Sequence, residues 1–238
     1  MNRKLWMTVV GERRMLAAAV SWSGGKDSCL AYWKASSEGF DVKYLLNTYR
    51  EDSGRVAFHG VRAKLIRKQA DALGKTLIQR KVGNDNYEEM FLEALTELKS
   101  KGAEGVIFGD IDVRQNREWC ERVTSKAGMR SIFPLWNMDQ KGIIEEFIGA
   151  GFRAIVVALD SKFLTRDDLG RRIDLAWMER IEDLRSQATD VPITYCGENG
   201  EYHTFVFGGP CFKSDIKIKT GNPVMRNGYW LIDVMNLQ

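Results

Sequence analysis

Histidine and paired cysteine are what this chain has least of. There are two histidines, His59 and His203, and four cysteines, Cys29, Cys120, Cys196 and Cys211, with no C-x-x-C spacing among them. A zinc site needs a tighter cluster of such ligands, so none is expected. Charge of one sign is also scarce: 35 Lys and Arg stand against 32 Asp and Glu, a net +3. A DNA-binding chain concentrates basic charge on one surface, so DNA is not expected as a partner. No apolar run reaches the length that spans a bilayer, and no membrane association is expected. Internal repeats, low-complexity tracts and a secretory leader are missing too, which together with unpaired thiols gives a cytoplasmic expectation. What is there is 238 residues of ordinary globular composition. That is enough for one large domain, or one domain and a smaller one, and a homo-oligomer is compatible with it.

The most informative stretch is Ala17-Ala18-Ala19-Val20-Ser21-Trp22-Ser23-Gly24-Gly25-Lys26-Asp27-Ser28-Cys29-Leu30. It reads as a short apolar strand ending near Ser21, a tight Ser-Gly-Gly turn, and a helix whose first turn holds Lys26, Asp27 and Ser28. Backbone N–H groups at a helix start favour an anion, and Lys26 adds a full positive charge, so a phosphate chain is the expected guest. The spacing is not that of a Walker A loop. Val20 stands where its first glycine belongs, and Asp27 where Ser or Thr should follow the lysine. Nor is it the Gly-x-Gly-x-x-Gly of dinucleotide folds. Ser23-Gly24-Gly25-Lys26-Asp27-Ser28 instead resembles the SGGxDS signature of the N-type ATP pyrophosphatases, the PP-loop. That resemblance implies cleavage of ATP between its α- and β-phosphates, with the loop gripping the departing pyrophosphate. The plain alternative is a turn that only links strand to helix.

Along the rest of the chain strands and helices alternate. A basic, polar lead-in over residues 1–14 carries one apolar patch, Trp6-Met7-Thr8-Val9-Val10, read as a loosely held strand. The helix after the loop closes at Gly39. Strands are expected at 42–48, 76–78 and 105–109, and helices from His59 to Leu73, over 84–101 and over 115–127. A helix at 139–150 and a strand at 153–159 follow. Such alternation predicts an α/β fold with a parallel, doubly wound, Rossmann-like sheet covered on both faces. Right-handed crossovers bring the loops after the strands to one edge, so the Ser-Gly-Gly loop, Asn47 and Gly109-Asp110 should share one crevice. Beyond Asp160 come a charged turn, a helix to Gln187 and strands at 202–207, 215–219 and 229–234. Turns are expected at Gly208-Gly209-Pro210 and Gly221-Asn222-Pro223. The division expected is 1–159 for ATP binding and 160–238 for a smaller α+β lid that shapes the acceptor site.

A second stretch, Gly197-Glu198-Asn199-Gly200-Glu201-Tyr202-His203-Thr204-Phe205-Val206, reads by itself as a solvated hairpin. Its pattern, Gly-Glu-x-Gly-Glu-Tyr-x-Thr-Phe-Val, resembles a motif of the diphthine–ammonia ligase family, a branch of the PP-loop enzymes. Pro134-Leu135-Trp136 and Leu169-Gly170-Arg171 resemble further landmarks of that family, in the same order. The resemblance runs from Ala17 to about Phe207. It implies an adenine nucleotide α-hydrolase-like domain followed by a small α+β domain. It also implies ATP-dependent amidation of a carboxylate by ammonia, releasing AMP and pyrophosphate, the family's acceptor being diphthine on an elongation factor. One stretch departs from the pattern. After the fourth strand the family typically has a small-residue turn and Tyr-Gln-Arg-x-Arg. This chain has Gly109-Asp110-Ile111-Asp112-Val113-Arg114-Gln115-Asn116-Arg117-Glu118-Trp119. That looks like a sister group and leaves the acceptor open.

Chemistry distributes the roles. A carboxylate and ammonia do not condense directly, because oxide is a poor leaving group. Attack of the carboxylate on the α-phosphorus makes an acyl-adenylate, and ammonia then displaces AMP. The charge that builds on pyrophosphate is assigned to loop amides, Lys26 and Mg²⁺. The ATP-binding candidates are Ser21, Ser23, Gly24, Gly25, Lys26, Asp27, Ser28, Asn47, His59, Gly109 and Asp110. Ser23 and Ser28 are expected to donate to phosphate. Asp27 either caps its helix, the favoured reading, or holds Mg²⁺. Asp110 is read as a Mg²⁺ or ribose ligand, against an ordinary loop aspartate. His59 matches a family histidine, against a helix cap. Lys26, Asp27, Glu198 and Glu201 are taken as catalytic, and Arg114, Arg117, Trp136, Arg171 and Thr204 as substrate-side residues. Glu198, Glu201 and Thr204 are expected to position acceptor or ammonia. Trp22, Trp33, Trp119 and Trp177 read as packing.

Three other readings compete. A tRNA thiolase needs cysteine pairs, which this chain lacks. A sulfonucleotide reductase needs Cys-Gly-x-His, and Cys196-Gly197-Glu198-Asn199 has no histidine at that place. The third is a non-catalytic ATP sensor, beside which stands any other PP-loop pyrophosphatase acting on a different small molecule or RNA.

Overall fold

Five short strands make the first sheet: β1 (Ala17–Ser21), β2 (Asp41–Arg50), β3 (Thr76–Val82), β4 (Gly105–Ile107) and β5 (Arg130–Ile132). In the computed structural model, which describes residues 15–57, 59–187 and 192–237, all are parallel and run in the order β3-β2-β1-β4-β5. The lead-in patch at Trp6-Met7-Thr8-Val9-Val10 lies outside the described residues. Helices α1 (Lys26–Ser37), α2 (Ala63–Leu73), α3 (Tyr87–Ser100), α4 (Arg114–Lys126) and α5 (Gln140–Gly149) follow successive strands. Side chains alternate across a strand, so one strand feeds two cores. Ala18, Val20, Leu45 and Ile107 face the core that α1, α2 and α5 fill with Leu30, Leu65, Ile66 and Phe147. Ala19, Leu46 and Val106 face the core made with Phe91 and Leu95 of α3 and Val123 of α4. The sheet is doubly wound.

The second sheet is antiparallel, with β6 (Arg153–Asp160), β7 (Tyr202–Gly208), β8 (Ile218–Arg226) and β9 (Tyr229–Asn236) in the order β7-β6-β9-β8. Helix α6 (Leu175–Gln187) lies between β6 and β7 in the chain, after a short 3₁₀ turn at Arg166–Asp168 capped by Thr165. The alternation of strands and helices assigns β6 to the parallel sheet; it pairs instead with β7 and β9. Its residues are buried on both faces, and Val156 and Leu159 join the same core as α1, Phe205 and Val206. The two sheets therefore share apolar surface, with Trp33 edge-on to Phe152 at 6.0 Å.

One expected turn and one strand's bounds are corrected here. Gly221-Asn222-Pro223 lies inside β8, where the register shifts between Thr220 and Pro223. β8 is the sheet edge, and an edge strand tolerates a proline at a bulge because no neighbour needs its N–H. The strand thus runs 218–226 rather than 215–219. The reversal falls at Asn227 and Gly228, whose φ values of 49° and 83° make the Asn-Gly hairpin turn joining β8 to β9.

Candidate active site

The loop between β1 and α1 lies at the carboxyl edge of the parallel sheet. Gly24 has φ +85°, and a Cβ there would lie 2.6 Å from Ile66 Cδ1, so the turn demands glycine. The Gly24 carbonyl accepts from the Val206 N–H at 3.0 Å and from Gln69 Nε2 at 2.9 Å. Gln69 is fully buried and also donates to the Val206 carbonyl, while its Oε1 accepts from Trp22 Nε1 at 2.8 Å. One amide thus ties loop, α2 and β7 together. The Lys26 N–H donates to Thr204 Oγ1 at 3.0 Å. Within the loop Ser28 Oγ donates to the Gly25 carbonyl, and Ser23 Oγ accepts from the Gly25 N–H.

Lys26 is 3% exposed. Burying an ammonium costs several kcal/mol unless it is paired. Here Nζ donates to Asp27 Oδ2 at 2.9 Å and to the Cys196 carbonyl, and lies 5.0 Å from the Tyr202 ring centre. Burial pulls its pKa down, but the Asp27 charge and these partners outweigh burial and hold it above the ordinary value. Asp27 does not cap the helix: the N-cap is Gly25, without a side-chain cap. Its Oδ1 is instead buried without a hydrogen-bond partner.

A cleft of about 760 Å³ opens over this loop. Ser21, Ser23, Lys26, Asp27, Ser28, Asn47, His59, Gly109, Asp110, Glu198 and Thr204 all line it. Convergence of strand-end loops is what places them together. Asn47 is saturated by structure, donating to the Trp22 carbonyl at 2.8 Å and accepting from Gln79 at 3.0 Å. Glu198 is pushed up to about 8, first by burial and then by the Asp27 charge. Burial, and then Asp27, also raise Asp110. Tyr87, Phe91 and Phe108 give the cleft an aromatic wall.

Two family descriptions match: the diphthamide synthase N-terminal domain over residues 16–131 and its C-terminal domain over residues 139–237. The chain belongs to the diphthamide synthase family. Among its relatives are proteins named diphthine–ammonia ligase. The one from Schizosaccharomyces pombe is 30% identical over 213 residues, covering 82% of this chain and 34% of that protein. The mouse relative is 27% identical, covering 86% of this chain and 84% of its own, and the zebrafish relative is 28% identical, covering 86% and 87%. The chain thus spans about a third of the yeast protein's length and more than four-fifths of the vertebrate ones. In diphthamide synthase terms the N-terminal match holds the Ser23–Gly24–Gly25 loop, and the C-terminal match holds the stretch around Glu198 that closes over it.

Several substrate-side expectations fall elsewhere in the molecule. Glu201 is fully buried and outside the cleft lining; its carboxylate accepts from the Thr194 N–H, Thr194 Oγ1 and the Asn199 N–H, folding the loop that presents Glu198. Arg114 is 85% exposed and pairs with Glu118. Arg117 pairs with Glu121 and lies over the Phe133 and Trp136 rings, 4.9 and 4.6 Å from their centres. Trp136 is thus a packing partner beside α4. Arg171 pairs with the buried Asp168 near the 3₁₀ turn. None of these four lines the cleft. His59 does, although it opens no helix: α2 begins at Ala63, and the bridge between Arg55 and Arg62 folds the preceding residues into a turn. Cys196 lines the cleft, donates its thiol to the Gln140 carbonyl at 3.4 Å, and burial raises its pKa, which disfavours the thiolate that a reductase-type nucleophile needs.

His203, Asn116 and Tyr229, which line the cleft, and Gln69, which braces its loop, are residues that sequence reasoning missed. Gln69 had a signal, being a polar residue inside the apolar stripe of Leu65, Ile66, Ala70 and Leu73. Tyr229 had none, since only the antiparallel pairing brings its strand to the cleft.

Proposed function

We propose that the chain is an ATP-dependent, AMP-forming amide ligase. It activates a carboxylate as its adenylate and passes the acyl group to ammonia, with diphthine on an elongation factor as acceptor. The observation that carries this reading is the sharing of one cleft by the PP-loop and the segment around Glu198. The part expected over residues 1–159 holds ATP, except for β6, which pairs in the second sheet, and residues 160–238 cover it and shape the acceptor site. The reaction takes place in the cytoplasm.

The roles follow from the wall each residue occupies. Loop amides, Ser23 and Ser28 receive the pyrophosphate oxygens. Lys26, already paired with Asp27, offsets the charge that grows as the α–β bond breaks. The residues fit Mg²⁺. Asp27 Oδ1 is a buried acceptor with nothing to accept, and Asp110 lines the same cleft. Among the described residues no three or more His, Cys, Asp or Glu side chains are grouped to hold a metal. That suits an ion bound by one or two carboxylates plus substrate phosphates. When bound, Mg²⁺ supplies charge neutralisation on the phosphates. Glu198, holding a proton near neutral pH, presents a hydrogen-bond donor that the acceptor carboxylate meets without repulsion.

The test is incubation with α-labelled ATP, Mg²⁺, ammonia and diphthine-bearing elongation factor. AMP formed only when acceptor is present supports the ligase. ATP bound but uncleaved points to a sensor. Acceptor-independent AMP points to another PP-loop pyrophosphatase.

A further inference from the structure

The chain's two histidines meet in the cleft. His59 precedes α2 and His203 lies on β7, with ring centres 4.9 Å apart and planes tilted by 47°. His59 Nδ1 is 2.9 Å from the Thr204 carbonyl oxygen. A carbonyl only accepts, so Nδ1 carries the hydrogen and donates it, leaving the neutral ring's lone pair on Nε2. The ring rests on the PP-loop: a Cβ on Gly25 would lie 2.5 Å from His59 Cε1, the atom bonded to both nitrogens. Nε2 is bonded to that same Cε1 atom, in a side chain that lines the cleft. This tautomer is wrong for gripping phosphate, whose oxygens need a donor. It is right for taking a proton.

We propose that His59 Nε2 accepts a proton from the incoming ammonium in the second half of the reaction, with Thr204 as its positioning partner. The inference rests on the ligase reading above. Charge nearby agrees with it. Burial keeps His59 below its ordinary pKa, with Asp27 favouring and Lys26 opposing protonation. His203 is held well below its own, by burial and then by His59 and Lys26. The ionisable groups facing the ring are thus Lys26 and Asp27 of α1 and His203 of β7, with Glu198 across the same cleft. Arg55 and Arg62 on its own loop are committed to Asp233.

The step balances. Ammonia reaches the cleft at neutral pH as ammonium, which yields one proton to Nε2. The freed lone pair attacks the acyl carbon and the C–N bond forms. The C–O bond to AMP breaks and AMP leaves with that electron pair. The remaining surplus proton on nitrogen passes to solvent, as does the imidazolium's once product departs.

Two rates separate the half-reactions. Acceptor-dependent exchange of labelled pyrophosphate into ATP reads adenylation alone, and amide formation reads both halves. With diphthine-bearing elongation factor, His59→Gln is expected to retain exchange and to lose about 100-fold in amide formation with ammonia. Hydroxylamine, already unprotonated at neutral pH, should recover most of that loss. Loss of exchange in parallel with amide formation, or no rescue by hydroxylamine, overturns the proposal. A wild type without any acceptor-dependent exchange overturns the ligase reading itself. Should the variant not fold, the wild-type pH profile decides at fixed total ammonia. A rate that levels off once the imidazole is neutral supports His59 as acceptor. A rate still climbing toward the pKa of ammonium overturns it.

Discussion

The cleft's two walls differ in how they hold their uncharged polar groups. On the parallel-sheet wall the uncharged hydroxyls and side-chain amides are satisfied within the protein, although Asp27 Oδ1 stands buried without a partner and Asp110 is displaced upward. Asn47 is bonded at both ends, Ser28 donates to Gly25, and Gly24 accepts two hydrogen bonds. On the other wall the residues around β7 ionise at displaced pH, Glu198 upward and His203 downward, with burial the first cause for both. A fixed wall suits repeated gripping of the same phosphate chain. A wall of displaced ionisation suits proton traffic between a carboxylate, a leaving AMP and an incoming amine. Lys26 joins them, with its N–H on Thr204 and its ammonium on the Cys196 carbonyl.

Lys26→Met tests the fixed wall most severely. Acceptor-dependent pyrophosphate release should fall about 1,000-fold, as loss of a preorganised charge does elsewhere. A small effect would shift the phosphate grip from the ammonium to the amides alone.

Glu198→Gln tests the titrating wall. With a folded-state pKa of about 8 against an ordinary 4.5, the folded protein holds a proton that the unfolded chain releases between those values. Stability from this group is therefore full below 4.5 and is lost as pH rises to about 8. The glutamine variant, always neutral, should melt about 4 °C or more above the wild type at the alkaline end and show a flatter pH profile. Identical profiles would mean that Glu198 ionises as it would in water.

Asp233→Ala removes the carboxylate shared by Arg55 and Arg62, which holds the His59 loop against β9. After discounting for partial exposure, the loss should be about 1.5 kcal/mol in denaturant unfolding. Asp233 is depressed to about 2 by Arg62 and Arg55, so this stability is present above its ordinary 3.8 and is lost as pH falls toward 2. Smaller still is Asn227→Ala, about 1 kcal/mol from forcing alanine into a left-handed turn, with amide formation unchanged. Arg114→Ala closes the series at about 0.3 kcal/mol, the value of an exposed helical pair. Any marked loss of amide formation in that variant would return α4 to the acceptor site.

The same contrast explains what was legible in the chain. The residues from Ala17 to Ser28 announce strand, turn and helix through local chemistry alone, and parallel strands with short links fix where Asn47 and Asp110 must lie. Around β6–β9 the decisive information is non-local. The run Arg153–Asp160 is apolar enough for either sheet, and only pairing with β7 and β9 assigns it. Pro223 reads as a turn until β8 is known to be an edge. Asn227-Gly228 is legible by hairpin chemistry, and the Gly-Asn-Pro nearby competes with it as a turn. Glu201 and Glu198 are three residues apart in an acidic loop. Nothing local tells that one folds the loop from inside while the other faces the cleft.

The central claim is that the acceptor's carboxylate attacks the α-phosphorus of ATP. Its most direct test is an acceptor whose carboxylate carries heavy oxygen, with the phosphorus products read by mass. Label appearing in AMP is the predicted result. Label in inorganic phosphate, or none transferred while amide still forms, would contradict it.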